Sequence, residues 1–529
     1  MPTPGPAASG AARPGGAVAA VPVTAPAGTD RAAAEGFAGL GPAAVRWLVL
    51  VLVAAVLAGV VPLALLQAVP DDLRSGAWRL TLAVMVWAGL RLAHRIAVGR
   101  PALFDFVFWL FVYIFMGLAP TAQMRADQPS TTTPGLDPFD DARIAALVLV
   151  GLACYEIGRA VARHGSSRGG ALRGRAGDAA ADGGAPPVDD AAAGGRDGER
   201  PVLDVVPRRA VVLTAVGVLA AAYFVTRIGF STLFMSRYTA YDIRSERMPD
   251  VAVRSIVAAA GSYPLLVAAG VFLRIRATRA LGALSTRYAP LLALAVVVLL
   301  TVVNPVSAAR YDFGTVVFAL AVMAGAAATV ARGRVLMAAV VVGLLFVFPV
   351  ADAFRSDAVN TSRNGFFGEY LANPDYDAFW QIGNAALYAD SGLAQPLRQA
   401  AGVLLFWVPR PLWPDKPIDT GVLLAQYRGY SFENLSAPLW AELLVNGGLV
   451  ALVLGFVLLG ALLGRLDGRV SAALLGGGHL WAVVGGIFPI YMMILLRGSL
   501  LQATGTFVVA VACVLYVRAR AAPRAAASA

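Results

Sequence analysis

Lysine is almost missing from this sequence: of its 43 basic residues only Lys416 is a lysine, and the rest are arginine. Cysteine is nearly as scarce. Cys154 and Cys513 both fall inside apolar segments, which excludes a disulfide framework and a thiolate metal cluster. The three histidines, His94, His164 and His479, are far apart, so no histidine-based metal site is written into the chain. Charge itself is thin, at 14% of residues against 58% hydrophobic residues and a mean hydropathy of +0.69. A soluble globular protein does not have that balance. The chain reads as a multi-spanning membrane protein. Its net charge of +11 is not a nucleic-acid footprint, because the arginines are spread over short connections between apolar segments and form no continuous basic face.

What is present is a series of apolar runs of spanning length. They lie at about 45–69, 77–93, 102–120, 143–162, 209–227, 254–274, 287–304, 313–331, 335–352, 438–463, 474–496 and 499–517. This predicts an all-α polytopic bundle of about twelve transmembrane helices with a large extracytoplasmic loop. Residues 1–43, rich in Ala, Gly and Pro, read as a disordered cytoplasmic tail without the pattern of a signal peptide. The first four helices occupy 44–163, a flexible cytoplasmic linker 164–205, helices five to nine 206–352, the loop 353–437, the last three helices 438–518, and a short tail 519–529. Alternate connections carry the arginines: Arg91, Arg95 and Arg100; Arg159, Arg163 and Arg168; Arg274, Arg276 and Arg279; Arg332 and Arg334; Arg465 and Arg469; then Arg518 and Arg520. By the positive-inside rule both termini are cytoplasmic, and the chain sits in the cytoplasmic (inner) membrane with the 353–437 loop outside.

That loop has its own pattern. The sequence from Tyr376 to Tyr388 reads as an amphipathic helix lying on the membrane, and 397–408 as a second. Then comes Phe-Trp-Val-Pro-Arg-Pro-Leu-Trp-Pro-Asp-Lys-Pro at 406–417, where four prolines between Val408 and Ile418 forbid helix and central strand alike. It must be a shaped, extended loop, carrying Arg410, Asp415 and Lys416. Polar residues also collect at the Asn304-Pro-Val-Ser-Ala-Ala-Arg310-Tyr311 turn, at Arg355 and Arg363, and at Arg428. Arginines beside a membrane suit bidentate capture of phosphate, although each could instead be an interfacial anchor or one half of an ion pair. Glu442 and Asn446, four apart, share one helix face just inside the tenth segment. They read equally as a packing pair or as a general base and a sugar contact.

At these residues the chain resembles the Wzy-type O-antigen polymerases, membrane enzymes that join oligosaccharide repeat units. The likeness rests on the Asn-Pro…Ala-Arg-Tyr turn at 304–311, the proline-rich run at 406–421 and the Ala-Glu…Asn-Gly-Gly segment at 441–448. It covers roughly 300–465, and the first half only by hydropathy. The resemblance implies a metal-independent glycosyltransferase without cofactor. Its donor and acceptor would be lipid-pyrophosphate-linked oligosaccharides, its setting the membrane lipid, and its partners a chain-length regulator and a flippase. It further implies that Arg310, Tyr311, Arg355, Arg363, Arg410, Lys416, Arg428 and Asn446 bind substrate, with Glu442 or else Asp415 as the catalytic carboxylate. The O-antigen ligases are similar in layout but use a histidine in the large loop, and this loop has none. Two other classes fit less well. A different lipid-linked-sugar glycosyltransferase would rest on Asp71-Asp72, in a loop too short to build a site, and a flippase would line mid-membrane with charge.

The topology is testable directly. A topology reporter fused after Asp390 is expected to signal the extracytoplasmic side, and a cytoplasmic signal would contradict the arginine alternation.

Overall fold

The computed structural model describes residues 41–71, 74–130, 132–181, 203–249, 251–278, 281–347 and 365–519. By packing, residues 1–47 separate from 48–529, and the architecture below is that of the second unit. The described residues are helical apart from turns, loops and one isolated bridge between Val205 and Arg518. Lipid leaves no solvent for a backbone amide, so each spanning segment must satisfy its own hydrogen bonds as a helix.

Among the described residues, eleven helices are long and apolar enough to cross a membrane: α1 (Pro42–Ala68), α2 (Trp78–Val98), α3 (Leu103–Arg125), the first part of α4 (Pro138–Ala181), α5 (Pro207–Ile228), α7 (within Val251–Ala277), α8 (Gly282–Val302), α10 (Val330–Val347), α15 (Leu439–Gly476), α16 (Leu480–Arg497) and α17 (Leu500–Val517). Between them lie the short α6 (Arg237–Arg247) and, in the large loop, α11 (Gly365–Ala372), α12 (Ala378–Asp390), α13 (Arg398–Leu404) and α14 (Thr420–Arg428). The segment expected at 313–331 forms α9 (Arg310–Ala321), which a five-residue π turn extends to Ala326. Gly325, at φ 106°, then ends it. Although shorter than the other spans, α9 still joins the two ends of the bundle. Before it, Asn304 Nδ2 donates to Leu233 O at 2.8 Å; after it, Arg334 Nη2 donates to Ala97 O at 2.9 Å.

The end containing Ala97 also holds Arg95, Arg159, Arg274, Arg334 and Arg518, so five of the arginines assigned to one side by alternation lie at one end of the fold. Call it the basic end. Each helix meets it differently, yet the buried charges there are partnered. Asp467 of α15 accepts from the amides of Phe104 and Asp105 at 2.9 and 3.1 Å, capping α3, and pairs with Arg159 at 3.2 Å. Asp105 in turn pairs with Arg95 and, at 2.8 Å, with Arg159. A charge so deep without a partner would cost several kcal/mol.

Two hydrophobic cores fill the bundle. One contains Phe106, Trp109, Tyr155, Trp440 and Phe456; the other contains Phe224, Leu265, Phe272, Leu299 and Val514. Helices α9 and α16 contribute to both: Phe318 and Met492 face the first, Val316 and Tyr491 the second. They form the seam. Outward-facing positions are apolar as well, as along Val450, Leu454, Leu458 and Leu462 of α15, the stripe expected of a helix exposed to lipid.

Two sequence-based readings need correction or limits. Helix α12 does not lie on a membrane surface: Ala378 to Ala386 are all buried, and Trp380 Nε1 donates to Gln123 Oε1 at 2.7 Å. The polar residues that made it look amphipathic, Gln381 and Asn384, are buried in a hydrogen-bonded network instead of facing water. The stretch read as linker from 164 begins as a continuation of α4 to Ala181, and its later part, like the tail up to residue 40, lies outside the described residues. At Gly447 and Gly448 the backbone leaves helical geometry. They unwind α15, with Gly448 at φ 59° and ψ −148°.

Close helix approach occurs between α4 and α15. A Cβ on Gly460 would run into Tyr155 O, and one on Gly158 into Val457 O, so each glycine lets the other helix's backbone in. Gly460→Val is expected to destabilise the purified protein by about 1–3 kcal/mol or more, read as a lower thermal-unfolding midpoint. Gly468→Val, where nothing lies within 4 Å, serves as the control and should be near neutral.

Candidate functional site

The large loop is tied down by the four-residue turn between the last two helices. Arg497 closes α16 and donates through Nε to Asp375 O and through Nη2 to Asp375 Oδ1, both at 2.9 Å. Its own carbonyl accepts from Ala437 N at 3.0 Å. Ser499 Oγ accepts from Thr420 N at 3.3 Å, and Leu500 N donates to Glu442 Oε1 at 2.9 Å. Thr420 Oγ1 donates to the other oxygen, Glu442 Oε2, at 3.0 Å. In this way Glu442 caps the first turn of α17 and grips the start of α14, where a carboxylate is favoured by the helix dipole.

Above this turn, at the seam of the two cores, lies a cluster of arginines and tyrosines. Helix α9 starts there with Arg310, Tyr311 and Asp312. The Asn304-Pro-Val-Ser turn that aims it is an Asx turn: Asn304 Oδ1 accepts from Val306 N at 2.9 Å and Ser307 N at 3.0 Å. Helix α6 adds Arg237 and Arg244, whose charges act on Asp312, and Arg244 Nη2 donates to Ser307 Oγ at 3.2 Å. Arg310 acts on the Tyr376 hydroxyl, and Arg237 and Arg497 on that of Tyr311. Tyr263 and Tyr491, ring centroids 6.1 Å apart and edge to face, close it towards the bundle. Tyr311 is 51% exposed, so the cluster reaches the surface of the fold. Four guanidinium groups set among hydroxyls and two carboxylates, Asp312 and Asp375, are suited to holding a polyanion larger than a carboxylate.

Of the described residues singled out from sequence, Arg310 and Tyr311 belong to this cluster. Arg410 is exposed on a separate spur and donates to Lys416 O at 3.2 Å. The Lys416 ammonium donates to Phe406 O at 2.6 Å and Val408 O at 2.9 Å, so it staples the proline-rich loop to itself. Burial, and secondarily Arg410, push its pKa below the usual lysine value. Asp415 is exposed, and its carbonyl accepts from Arg398 Nη2 at 3.0 Å. Arg428 donates to Gly135 O at 2.8 Å, fastening α14 to the turn before α4. Asn446 sits at the break in α15: its carbonyl accepts from Leu397 N at 2.9 Å and its Oδ1 from Ala400 N at 2.8 Å, anchoring α13. Glu442, 1% exposed with both oxygens engaged, has the geometry of a tie between elements. Arg355 and Arg363 lie outside the described residues.

Arg237, Arg244, Arg497 and the Asp375–Asp377 stretch were missed in the sequence. Arg497 carried a usable signal, since it ends an apolar run on the side poorer in arginine. So did 237–247, a polar helix between two apolar segments. Asp375–Asp377 carried none, because its importance comes only from contacts with α16. No protein-family model, curated protein or solved structure matches the chain.

The staple makes a specific expectation. Lys416→Ala should speed proteolysis within 404–416 in the purified protein and leave its thermal midpoint nearly unchanged. Protease resistance equal to wild type would show that the prolines alone hold the loop.

Proposed function

We propose that the chain is a polysaccharide polymerase that joins lipid-pyrophosphate-linked oligosaccharide repeat units at the outer face of the cytoplasmic membrane. The single observation that carries this reading is the convergence of Arg237, Arg244, Arg310 and Arg497 at one end of the bundle, beside the large loop. A lipid-anchored pyrophosphate can present itself only near a membrane face, and an end of a helix bundle is where such a face would meet these guanidinium groups. When the bond from the anomeric carbon to pyrophosphate breaks, charge builds on the leaving oxygen. Arginines already in place stabilise it without reorganising, inside a site of low dielectric. The arginine alternation puts this end outside, with both termini cytoplasmic, and the resemblance at 304–311, 406–421 and 441–448 points to the same reaction. Donor and acceptor are then two lipid-linked repeat units, with a flippase upstream and a chain-length regulator alongside.

A flippase is the second reading, and one observation favours it: α15 is broken at Gly447-Gly448, as transporter helices often are. The break, however, is used to dock α13 on Asn446.

One experiment separates them. Lipid-linked glycans from a strain deleted for this chain are sized and located, with complementation by wild type or Arg310→Lys. A polymerase predicts single repeat units outside, long chains restored by wild type, and Arg310→Lys lower by about a hundredfold, or about 3 kcal/mol of lost transition-state stabilisation. Repeat units trapped inside would make the chain a flippase. Long lipid-linked chains persisting in the deletion strain would exclude a polymerase.

A further inference from the structure

Helices α5 and α8 both begin at the basic end, and between their first few turns lies a cavity of about 320 Å³. Arg208 and Val211 of α5 line it together with Arg287, Tyr288 and Leu291 of α8. Its two arginines differ from others at this end. Arg209 donates to Tyr516 O at 2.9 Å and Arg518 O at 3.0 Å, and Arg274 to Gly478 O at 3.2 Å. Arg208 and Arg287 are exposed, and among the described residues neither has a hydrogen bond or an ion pair. No local charge offsets them, because α5 and α8 contain no acidic residue. Asp204, the acid that precedes α5, is engaged with Leu480 N at 3.2 Å and His479 at 3.4 Å.

Tyr288 supplies an independent observation. It is 8% exposed, with its ring stacked on Phe272 at 5.2 Å, yet its hydroxyl has no hydrogen-bond partner among the described residues. A buried phenol ordinarily finds one. The Arg287 guanidinium lies over the same ring, 6.0 Å from its centre. The cavity thus gathers two cations and a hydroxyl without an acceptor. Apolar surface continues from it along both helices: Val212 and Leu219 share the face of Arg208, Leu294 shares that of Arg287, and all three are exposed.

We propose that this cavity holds the headgroup of an anionic phospholipid. The Arg208 and Arg287 guanidinium groups take the phosphate, the Tyr288 hydroxyl donates to a headgroup oxygen, and the acyl chains run along the apolar ridges of α5 and α8. Planar guanidinium donors match phosphate oxygens, and basic pockets between transmembrane helices suit such headgroups. A soluble anion would meet the arginines but gain nothing from the ridges. A zwitterionic lipid would gain the ridges but bring its own cation against two arginines. An anionic phospholipid satisfies both, and its binding is independent of the reaction proposed at the other end of the bundle.

The test uses the purified full-length chain, stripped of lipid in an uncharged detergent and titrated with phosphatidylglycerol, phosphatidylcholine or inorganic phosphate while the thermal midpoint is read. Phosphatidylglycerol is expected to raise the midpoint, and the other two to do so little. Arg208→Gln combined with Arg287→Gln should weaken the apparent affinity for phosphatidylglycerol by about thirtyfold. Tyr288→Phe, which keeps the stacked ring, should weaken it severalfold and leave the lipid-free midpoint unchanged. Arg332→Gln combined with Arg465→Gln removes the same charge from exposed positions at the same end and should leave the affinity nearly unchanged. Should the first pair fail to fold, Arg208→Gln alone is read in its place, with a loss of about fivefold. Equal loss in the two arginine pairs would reduce the effect to diffuse attraction by the basic end. Inorganic phosphate acting as strongly as phosphatidylglycerol would make this a soluble-anion site, and a wild type that does not separate the two lipids would leave the arginines as interfacial anchors. Each of these three results would overturn the assignment.

Discussion

Everything at the loop end of this bundle depends on the turn from Arg497 to Leu500. Within four residues it offers a guanidinium to Asp375, a carbonyl to Ala437, a hydroxyl to Thr420 and an amide to Glu442. Each bond goes to a different part of the chain between 375 and 442. A loop of that length would otherwise lose much conformational entropy to be ordered, and hydrophobic burial of α12 alone does not fix how its two ends leave the bundle. The bonds from the turn fix them. They also make the arrangement sensitive, because Arg497 belongs both to the tether and to the arginine cluster.

The placement of that cluster follows from how the cores are divided. Two hydrophobic cores share α9 and α16, so the end of the seam is where side chains from otherwise separate groups of helices can meet. Sites at such junctions are common because neither core fills them. Arginine is the fitting residue here: it keeps its charge in a dry environment and spreads five donors in a plane, and lysine does neither as well. The near-absence of lysine thus has a physical sense. The one lysine, Lys416, is spent holding a loop.

The helical architecture was legible because lipid imposes it residue by residue. Apolar runs and arginine alternation sufficed to find the bundle, even for α9, which is shorter than its neighbours. The misreading of α12 shows the limit. Gln381 and Asn384 look like a wet face when only periodicity is read, and nothing local says that Thr133 and Tyr430 will meet them. The same limit divides the candidate residues. Arg310 announced itself by standing at the end of an apolar run, whereas the conspicuous Arg410 and Lys416 satisfy their own loop. Glu442 and Asn446 stand out in the sequence, but their partners, Leu500 and Ala400, lie 58 and 46 residues away.

The central claim is that a lipid pyrophosphate binds at the arginine cluster of the seam. A polyprenyl pyrophosphate bearing a photoreactive group next to the phosphates tests it most directly, with the labelled peptides of the nanodisc-embedded protein mapped by mass spectrometry. Labels falling in 230–247, 304–312 and 373–377, and suppressed by excess unlabelled polyprenyl pyrophosphate, are the predicted result. Labels confined to 404–416 or to the basic end, or labelling that the competitor leaves unchanged, would contradict the account.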